Sequence, residues 1–466
     1  MWRIVARQSL ATQRFYHATA RREILPLVGV ATVFVLGRYS YKAWKRMDEE
    51  WEDYQWQLRQ YEKQMLQNTE AETTTKTIAI DLGSIYTKLA TNYPKPEVIA
   101  TREGDRHFFN GIVYKDGVVE AQGRSAMEKF SYSPSSAVTL PWNVISSSSS
   151  DPEQAAKIVE DVLGLALDET LDRIGYNPES TSTALRSVVT VPAVYLRSDV
   201  YSAAFANVAT TFLPEPVAAV WGAQWKSLLP TEEGRVGRTT LVVDVGGKSM
   251  ALSMVQKDVV LSSITLPWGG ERWIEIMVDL LRKESSEPLE DERSLTALQT
   301  HARMALAELS AKSRADIHVH YLFADPTKHH LDTSISRSVL EKAIKDDVKE
   351  YLVQAAQTES ALSPHMPPPT DLSSLFTSSL TQLLEFSQKT PMNVDHILLL
   401  GGAARAPVIA SSLGSALYAL MGAEFSQKLV VPDNTLLPEL TVLGASTMLP
   451  TYTYAIDEGL VRLPYP

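Results

Sequence analysis

Asp81 and Asp244 each stand near the end of an apolar run, just before a turn that carries glycine and a hydroxyl side chain. The first stretch reads TIAIDLGS from Thr77, and the second reads DVGGKSMAL over residues 244–252. Glycine lets backbone N–H groups approach an anion with no side chain in the way, so turns of this kind suit phosphate. A third apolar run, HILLLGGAARAP, ends at Gly401 and Gly402. Two carboxylates on facing loops can hold Mg²⁺ through water and orient an attacking water, while the metal neutralises phosphate charge. A turn-capping aspartate is the plainer alternative for either residue taken singly.

Such loops must be held by strands. TIAIDLG, SVVTVPAVY (stopped by Pro192), TTLVVDVGG and HILLLGGAARAP are apolar or β-branched runs that end in glycine or proline, with helix-like segments between several of them. That alternation predicts an α/β protein. At 466 residues and 44% hydrophobic content the chain can bury a large core and divides into two or more lobes. There is no cysteine, so thiolate metal sites, disulfides and cysteine nucleophiles are excluded. The formal charge of −11 argues against a nucleic-acid partner, since no concentrated basic face follows the first residues.

Residues 1–22 carry Arg3, Arg7, Arg14, Arg21 and Arg22, several Ser and Thr, and no acid, the composition of a mitochondrial transit peptide or of a basic arm. Residues 23–45 contain the uncharged run Ile24 to Gly37, flanked by Arg38, Lys42, Tyr39, Tyr41 and Trp44. With the basic residues snorkelling, the stretch reaches spanning length and reads as a transmembrane anchor, with a signal-anchor or a buried helix as alternatives. Residues 46–76 read as a helical stalk and linker. Trp44, Met47, Trp51, Tyr54, Leu58, Tyr61 and Met65 form a heptad stripe that can dock a protein partner or fold back on its own domain. These segments predict a single-pass protein of the mitochondrial inner membrane, with the side of the soluble part left open.

IAIDLGSIYTKLA resembles the first phosphate loop of the seventy-kilodalton heat-shock chaperones, within the actin-like ATPase superfamily. Further collinear matches are EGDR at 103–106, SVVTVPAVYLRSDVYSAA, EPVAAVWGA, DVGGKSMALSMV, WGGERW, LSAKSRADI, ISRSVLE, LFTSSLTQLL and LLLGGAARAPVI. The resemblance covers roughly residues 77–449. It implies a two-lobed actin-like ATPase fold of duplicated α/β units, with ATP or ADP and Mg²⁺ in the cleft. Residues 450–466 read as a tail, too few for the family's peptide-binding β-sandwich and lid. About residues 351–371 read as an insertion, and Pro364 and Pro367 to Pro369 predict an exposed loop.

By that resemblance Asp81 and Asp244 match the carboxylates that orient Mg²⁺ through water, and Glu215 matches the acid near the attacking water. Together these three are the candidate catalytic residues. Gly83, Ser84, Ile85 and Tyr86 fall on the first phosphate loop, and Gly246, Gly247, Lys248 and Ser249 on the second. Glu271 and Ser310 match cleft positions, and Gly401, Gly402, Ala403 and Arg405 match the turn against the adenosine.

Other positions depart. The family's lysine over the transferred phosphate falls at Trp142 or Asn143, with no basic residue nearby in the sequence, and its next aspartate falls at Ala251. Its adenine-side lysine and arginine fall at Leu306 and Ala307. Lys248 either brings an ammonium to the phosphates or is an exposed turn lysine. His318, His320, His329 and His330 read as structural or solvated rather than as ligands, and Trp268 and Trp273 as packing at a lobe surface. The expectation is a chaperone-like nucleotide binder with weak or absent hydrolysis. Its rivals are a nucleotide-free pseudoenzyme that scaffolds a membrane complex, and a chaperone cofactor.

Overall fold

The computed structural model describes residues 74–448 apart from 103, 133–139, 142–144, 146–150, 177–182, 197, 231–237, 267, 286–288, 290, 321, 323–329 and 358–369, together with 461–462. The expected transit peptide, anchor and heptad stripe lie outside the described residues, as do Trp142, Asn143, His329 and the prolines at 364 and 367–369. By its contacts the chain divides at Thr74 and Thr75, and the described elements belong to the unit from Thr75 onward, with the first residue of β1 at the division.

That unit is built on two sheets. The first takes β1 (Thr74–Leu82), β2 (Tyr86–Thr91), β3 (Glu97–Val98) and β4 (Phe108–Phe109). After a separate hairpin of β5 (Ile112–Lys115) and β6 (Val118–Gln122), it adds β7 (Thr183–Val191) and β8 (Thr211–Pro214). The second takes β9 (Thr239–Val245), β10 (Met250–Gln256) and β11 (Val259–Leu266). After the two-stranded β12 (Arg314–His320) and β13 (His330–Ser336), it adds β14 (His396–Leu400), β15 (Leu429–Val430) and β16 (Val461–Arg462).

The first sheet runs β3-β2-β1-β7-β8 and the second β11-β10-β9-β14-β15, so one strand order occurs twice. In both, the opening hairpin is antiparallel and the last two strands are parallel. This repeat puts the turns after β1 and β9 at equivalent places.

The strand sequences fit their burial. In β9, Leu241, Val243 and Val245 face one core while Val242 faces the other, and the strand is apolar on successive residues because both of its faces are covered. Helix α1 (Pro152–Arg173) lies between β6 and β7, and α2 (Glu215–Trp225) follows β8. Then come α3 (Gly270–Glu284), α4 (Glu292–Ala311), α5 (Arg337–Gln357), α6 (Leu372–Phe386), α7 (Pro407–Met421) and α8 (Leu440–Ser446). Helix α1 starts on a capping Asp151 whose side chain accepts from the Glu153 N–H, with Pro152 as its first residue.

Helices α2 and α8 cross almost backbone to backbone. A Cβ added to Gly222 would lie 2.0 Å from the Leu440 carbonyl oxygen, and one added to Gly444 would lie 1.8 Å from the Ala218 carbonyl oxygen. Beside the crossing, the buried Glu439 accepts from Arg106 Nε and a terminal guanidinium nitrogen at 2.6 and 2.7 Å.

Several boundaries differ from expectation. The expected linker reaches into β1: Lys76 is buried and donates to the Ile174 carbonyl at 2.6 Å, behind the end of α1. Residues 351–357, expected in a loop, are helical because α5 continues to Gln357, and 358–369 lie outside the described residues. The expected tail contains β16, which pairs in parallel with Ser262 and Ser263 of β11. Trp268 and Trp273 are core residues rather than surface ones, 5.5 Å apart edge to face.

Among the described residues, one helical segment, Pro407–Lys428, is long and apolar enough to cross a bilayer. Its Val408, Ile409, Leu413, Ala416 and Leu417 are buried in the second core, and Gly422 interrupts it at φ +67°. These contacts make α7 a packing helix of that core.

The crossing of α2 and α8 leaves no room for a side chain. Gly444→Ala forces a methyl into a carbonyl and is expected to cost about 3 kcal/mol or more. Gly414→Ala in α7 meets nothing nearer than a Phe425 ring carbon at 4.0 Å, and is expected to be neutral or to stabilise by up to about 1 kcal/mol. Thermal unfolding of the two variants measures the contrast, and equal melting temperatures would contradict this packing.

Candidate functional site

The turn between β1 and β2 is Gly83-Ser84-Ile85. A Cβ on Gly83 would lie 2.8 Å from the Tyr86 carbonyl oxygen, to which its own N–H donates at 3.1 Å. The buried Asn110 pins this turn: its side-chain amide donates to the Gly83 carbonyl at 2.7 Å, and its side-chain oxygen accepts from the Thr87 hydroxyl at 2.6 Å.

The turn between β9 and β10 runs from Gly246 to Ser249. The N–H groups of Gly270 and Glu271, at the start of α3, donate to the carbonyls of Gly246 and Gly247 at 3.0 and 2.7 Å. A Cβ on Gly247 would lie 2.3 Å from the Ser84 hydroxyl oxygen, so the two turns face each other with only glycine admitted between them. At the end of β14, Gly401 takes φ +93°, and a Cβ there would meet Asp244 Oδ1 at 2.4 Å. The third turn therefore presses on the carboxylate of the second.

These turns surround one cavity of about 480 Å³, within the range of small-molecule and cofactor sites. Every candidate residue lines it: Asp81, Glu215 and Asp244; Gly83, Ser84, Ile85 and Tyr86; Gly246, Gly247, Lys248 and Ser249; Glu271, Ser310, Gly401, Gly402, Ala403 and Arg405. Leu306, Ala307 and Ala251, where the sequence departs from the family pattern, line it too. Lys248 is half-buried on this wall, so the reading as an exposed turn lysine is corrected, and burial holds its pKa below the usual lysine value.

Sequence reasoning misses the cation at the centre of the site. Lys88, on β2, stands opposite Asp81 in the β1–β2 register, and its ammonium donates to Asp81 Oδ2 at 2.5 Å. The side chains are 16% and 7% exposed. Burial opposes the charge of Lys88, yet Asp81 and, behind it, Asp244 and Glu215 offset this and raise its pKa. The signal is present in the sequence, since a hairpin that turns at Gly83 to Ile85 places residue 88 across from residue 81. Other cavity residues not anticipated are His107, Arg303, Arg337 and Glu341. Burial, and then Lys88, depress His107, while burial lowers Arg303.

The two other carboxylates are pushed the opposite way. Burial, with Asp81 and Asp244 beside it, holds Glu215 well above the usual range. Burial raises Asp244 to about 6, against the pull of Lys88. Asp81 also accepts from the Thr190 hydroxyl at 3.1 Å, so both of its oxygens are engaged.

A hydrated divalent ion at this donor set would compete with a bonded cation. One expected ligand is already bonded to an ammonium, and among the described residues no three Asp, Glu or His side chains converge as a metal site. What lines the cavity is two glycine turns with Lys88 and Lys248, a wall suited to an anion. The exposed His318 and His320 lie apart, paired across the β12–β13 strands with Asp332 and His330.

No family model matches the chain. The chaperone protein DnaK of Buchnera aphidicola subsp. Schizaphis graminum is 24% identical to it over 349 residues, covering 62% of this chain and 51% of that protein. The chain thus spans about half the length of the curated relative it matches.

The raised Asp244 has a cost that depends on pH. Between its ordinary value of 3.8 and its folded value of about 6, the folded chain keeps a proton that the unfolded chain has released. Stability therefore falls as pH rises through that window, by up to about 3 kcal/mol above it. Asp244→Asn is expected to raise the melting temperature near neutral pH, with the gain shrinking as pH falls toward the lower end of the window. A variant whose melting shift is the same across this range would contradict the burial of the charge.

Proposed function

We propose, from its likeness to the chaperone protein DnaK, that the chain is a chaperone-like protein whose cavity binds ATP or ADP and hydrolyses it weakly or not at all. The observation that carries this reading is the convergence of three glycine turns, after β1, β9 and β14, on one cavity of nucleotide size. The repeated strand order supports a two-lobed actin-like ATPase fold for the unit from Thr75 onward.

The phosphates would rest against Gly83 and Ser84 on one side and Gly246 to Ser249 on the other, with Lys248 close by. The sugar and base would lie toward Gly401, Gly402, Ala403 and Arg405, with Ser310 and Leu306 on the far wall. Arg303 and Arg337, which line the same cavity, supply positive charge that Leu306 and Ala307 do not.

Hydrolysis is poorly served. A base near the attacking water must be ionised to accept a proton, and burial, with Asp81 and Asp244 beside it, raises the pKa of Glu215 and so disfavours that form. Asp81, which would orient the metal and water, is tied to Lys88 and Thr190. Phosphoryl transfer depends on positioning and charge neutralisation, so these changes remove rate before they remove binding.

The N-terminal sequence supports placement of the protein at the mitochondrial inner membrane through residues 23–45, with the heptad stripe Trp44 to Met65 as the contact for a protein partner. One observation favours a second reading, a nucleotide-free scaffolding pseudoenzyme: the Lys88–Asp81 bridge satisfies the site's central charge without any ligand.

Thermal unfolding with ADP and with ATP separates the two. A nucleotide that binds the folded chain at a hundredfold excess over its Kd stabilises it by about 2.7 kcal/mol, so a clear rise in melting temperature at millimolar nucleotide is expected, with phosphate release near background. An unchanged melting temperature at that concentration would leave the scaffolding reading.

A further inference from the structure

We propose that Lys88 is a tethered cation standing where a divalent metal would act, so that this cavity rejects magnesium and takes a nucleoside di- or triphosphate in its metal-free form. The proposal rests on the nucleotide reading for its ligand, but the claim about the metal stands on its own.

The strand register makes the arrangement obligatory. Asp81 pairs with Lys88 across the β1–β2 hairpin, so their side chains leave the same face of the sheet at adjacent positions. In the repeated unit, Asp244 pairs with Ala251 across β9 and β10. Ala251 at that equivalent position carries no charge, so Asp244 has no cross-strand cation of its own. Lys88 is bonded to Asp81 of its own half and feels Asp244 of the other only through space.

The bond chemistry points the same way. Asp81 gives Oδ2 to Lys88 at 2.5 Å and Oδ1 to the Thr190 hydroxyl at 3.1 Å, and Thr190 is fixed in turn by the Tyr201 hydroxyl, which donates to its carbonyl at 3.0 Å. A metal bound directly at Oδ2 would have to break the first of these contacts and leave an ammonium without its partner in a largely buried place. An ammonium that is part of the chain also needs no recruitment from solution, whereas a free ion does.

Lys88 still has donors to offer. Among the described residues its one hydrogen bond is to Asp81, and a lysine ammonium carries three N–H groups. It lines the cavity together with Ser84 and Lys248 from the two facing turns, so a phosphate lodged there meets lysines from both. A phosphate carried by a metal would bring a second cation to the same place, where it would be repelled.

The test uses the purified full-length chain and its Lys88→Gln and Lys88→Arg variants. Magnesium chloride alone is expected to leave the melting temperature of the wild type and of Lys88→Arg unchanged. It should raise that of Lys88→Gln by several degrees, because Asp81 has then lost its cation and is open to a hydrated ion. ADP, titrated calorimetrically, should bind the wild type with the same affinity in EDTA as in magnesium, within about twofold, whereas Lys88→Gln should lose about tenfold or more in EDTA and recover with magnesium.

The proposal is overturned by magnesium-induced stabilisation of the wild type, by ADP binding to the wild type that EDTA abolishes, or by a folded Lys88→Gln that ignores magnesium. Absence of ADP binding under every condition would sink the nucleotide reading alone, and the melting responses to magnesium would still decide the role of Lys88. Should Lys88→Gln fail to fold, the wild-type comparison between EDTA and magnesium decides it.

Discussion

The crossing of α2 and α8 at Gly222 and Gly444 is the constraint from which the rest of the unit is laid out. Two helices can come this close only where neither carries a side chain at the contact, and the carbonyls of Ala218 and Leu440 fill the space instead. The crossing draws Leu440, Val442, Leu443 and Ala445 into the same core as Val217, Ala218 and Ala219. Val242, Leu398 and Leu400 from the second sheet enter that core as well. Through it the two sheets share buried surface, and the first residue of α2, Glu215, is brought to the cavity wall. The residue before α8, Glu439, is held under Arg106, 333 positions away in the chain.

Within this frame, charge sets the character of the site. Burial of a carboxylate in a medium poorer than water is tolerated when it is neutralised or paired. The three acids divide these solutions: Asp81 takes the ammonium of Lys88, while Glu215 and Asp244 retain protons more strongly than usual. Asp81 thus has a partner supplied by its own hairpin, while the glycine turns keep their geometry through their own backbone hydrogen bonds.

Legibility in the sequence follows the range of the interaction. The glycine turns and the strands leading to them are readable because a turn's chemistry is local: Gly83, Gly246, Gly247 and Gly401 announce themselves beside apolar runs. All the residues nominated from those motifs line the one cavity. Lys88 escapes such a reading because its meaning depends on a strand register, even though it lies only seven residues from Asp81. Arg303, Arg337 and His107 come from elements whose approach to the cavity is decided by packing. Helix α5 runs past the start of the loop that the prolines predict, since proline excludes helix only near its own position. The N-terminal segments are readable in composition and periodicity alone.

The short strand β16 also protects an edge. β11 is the outer strand of the first three in the second sheet, and an outer strand leaves a row of backbone donors and acceptors open to any extended chain that passes. Val461 and Arg462 lie along Ser262 and Ser263 and occupy part of that row. The residues near the end of the sequence therefore act as a guard rail: they use up pairing capacity that a second polypeptide could otherwise claim, and they bind the sheet's far border to the protein's own chain.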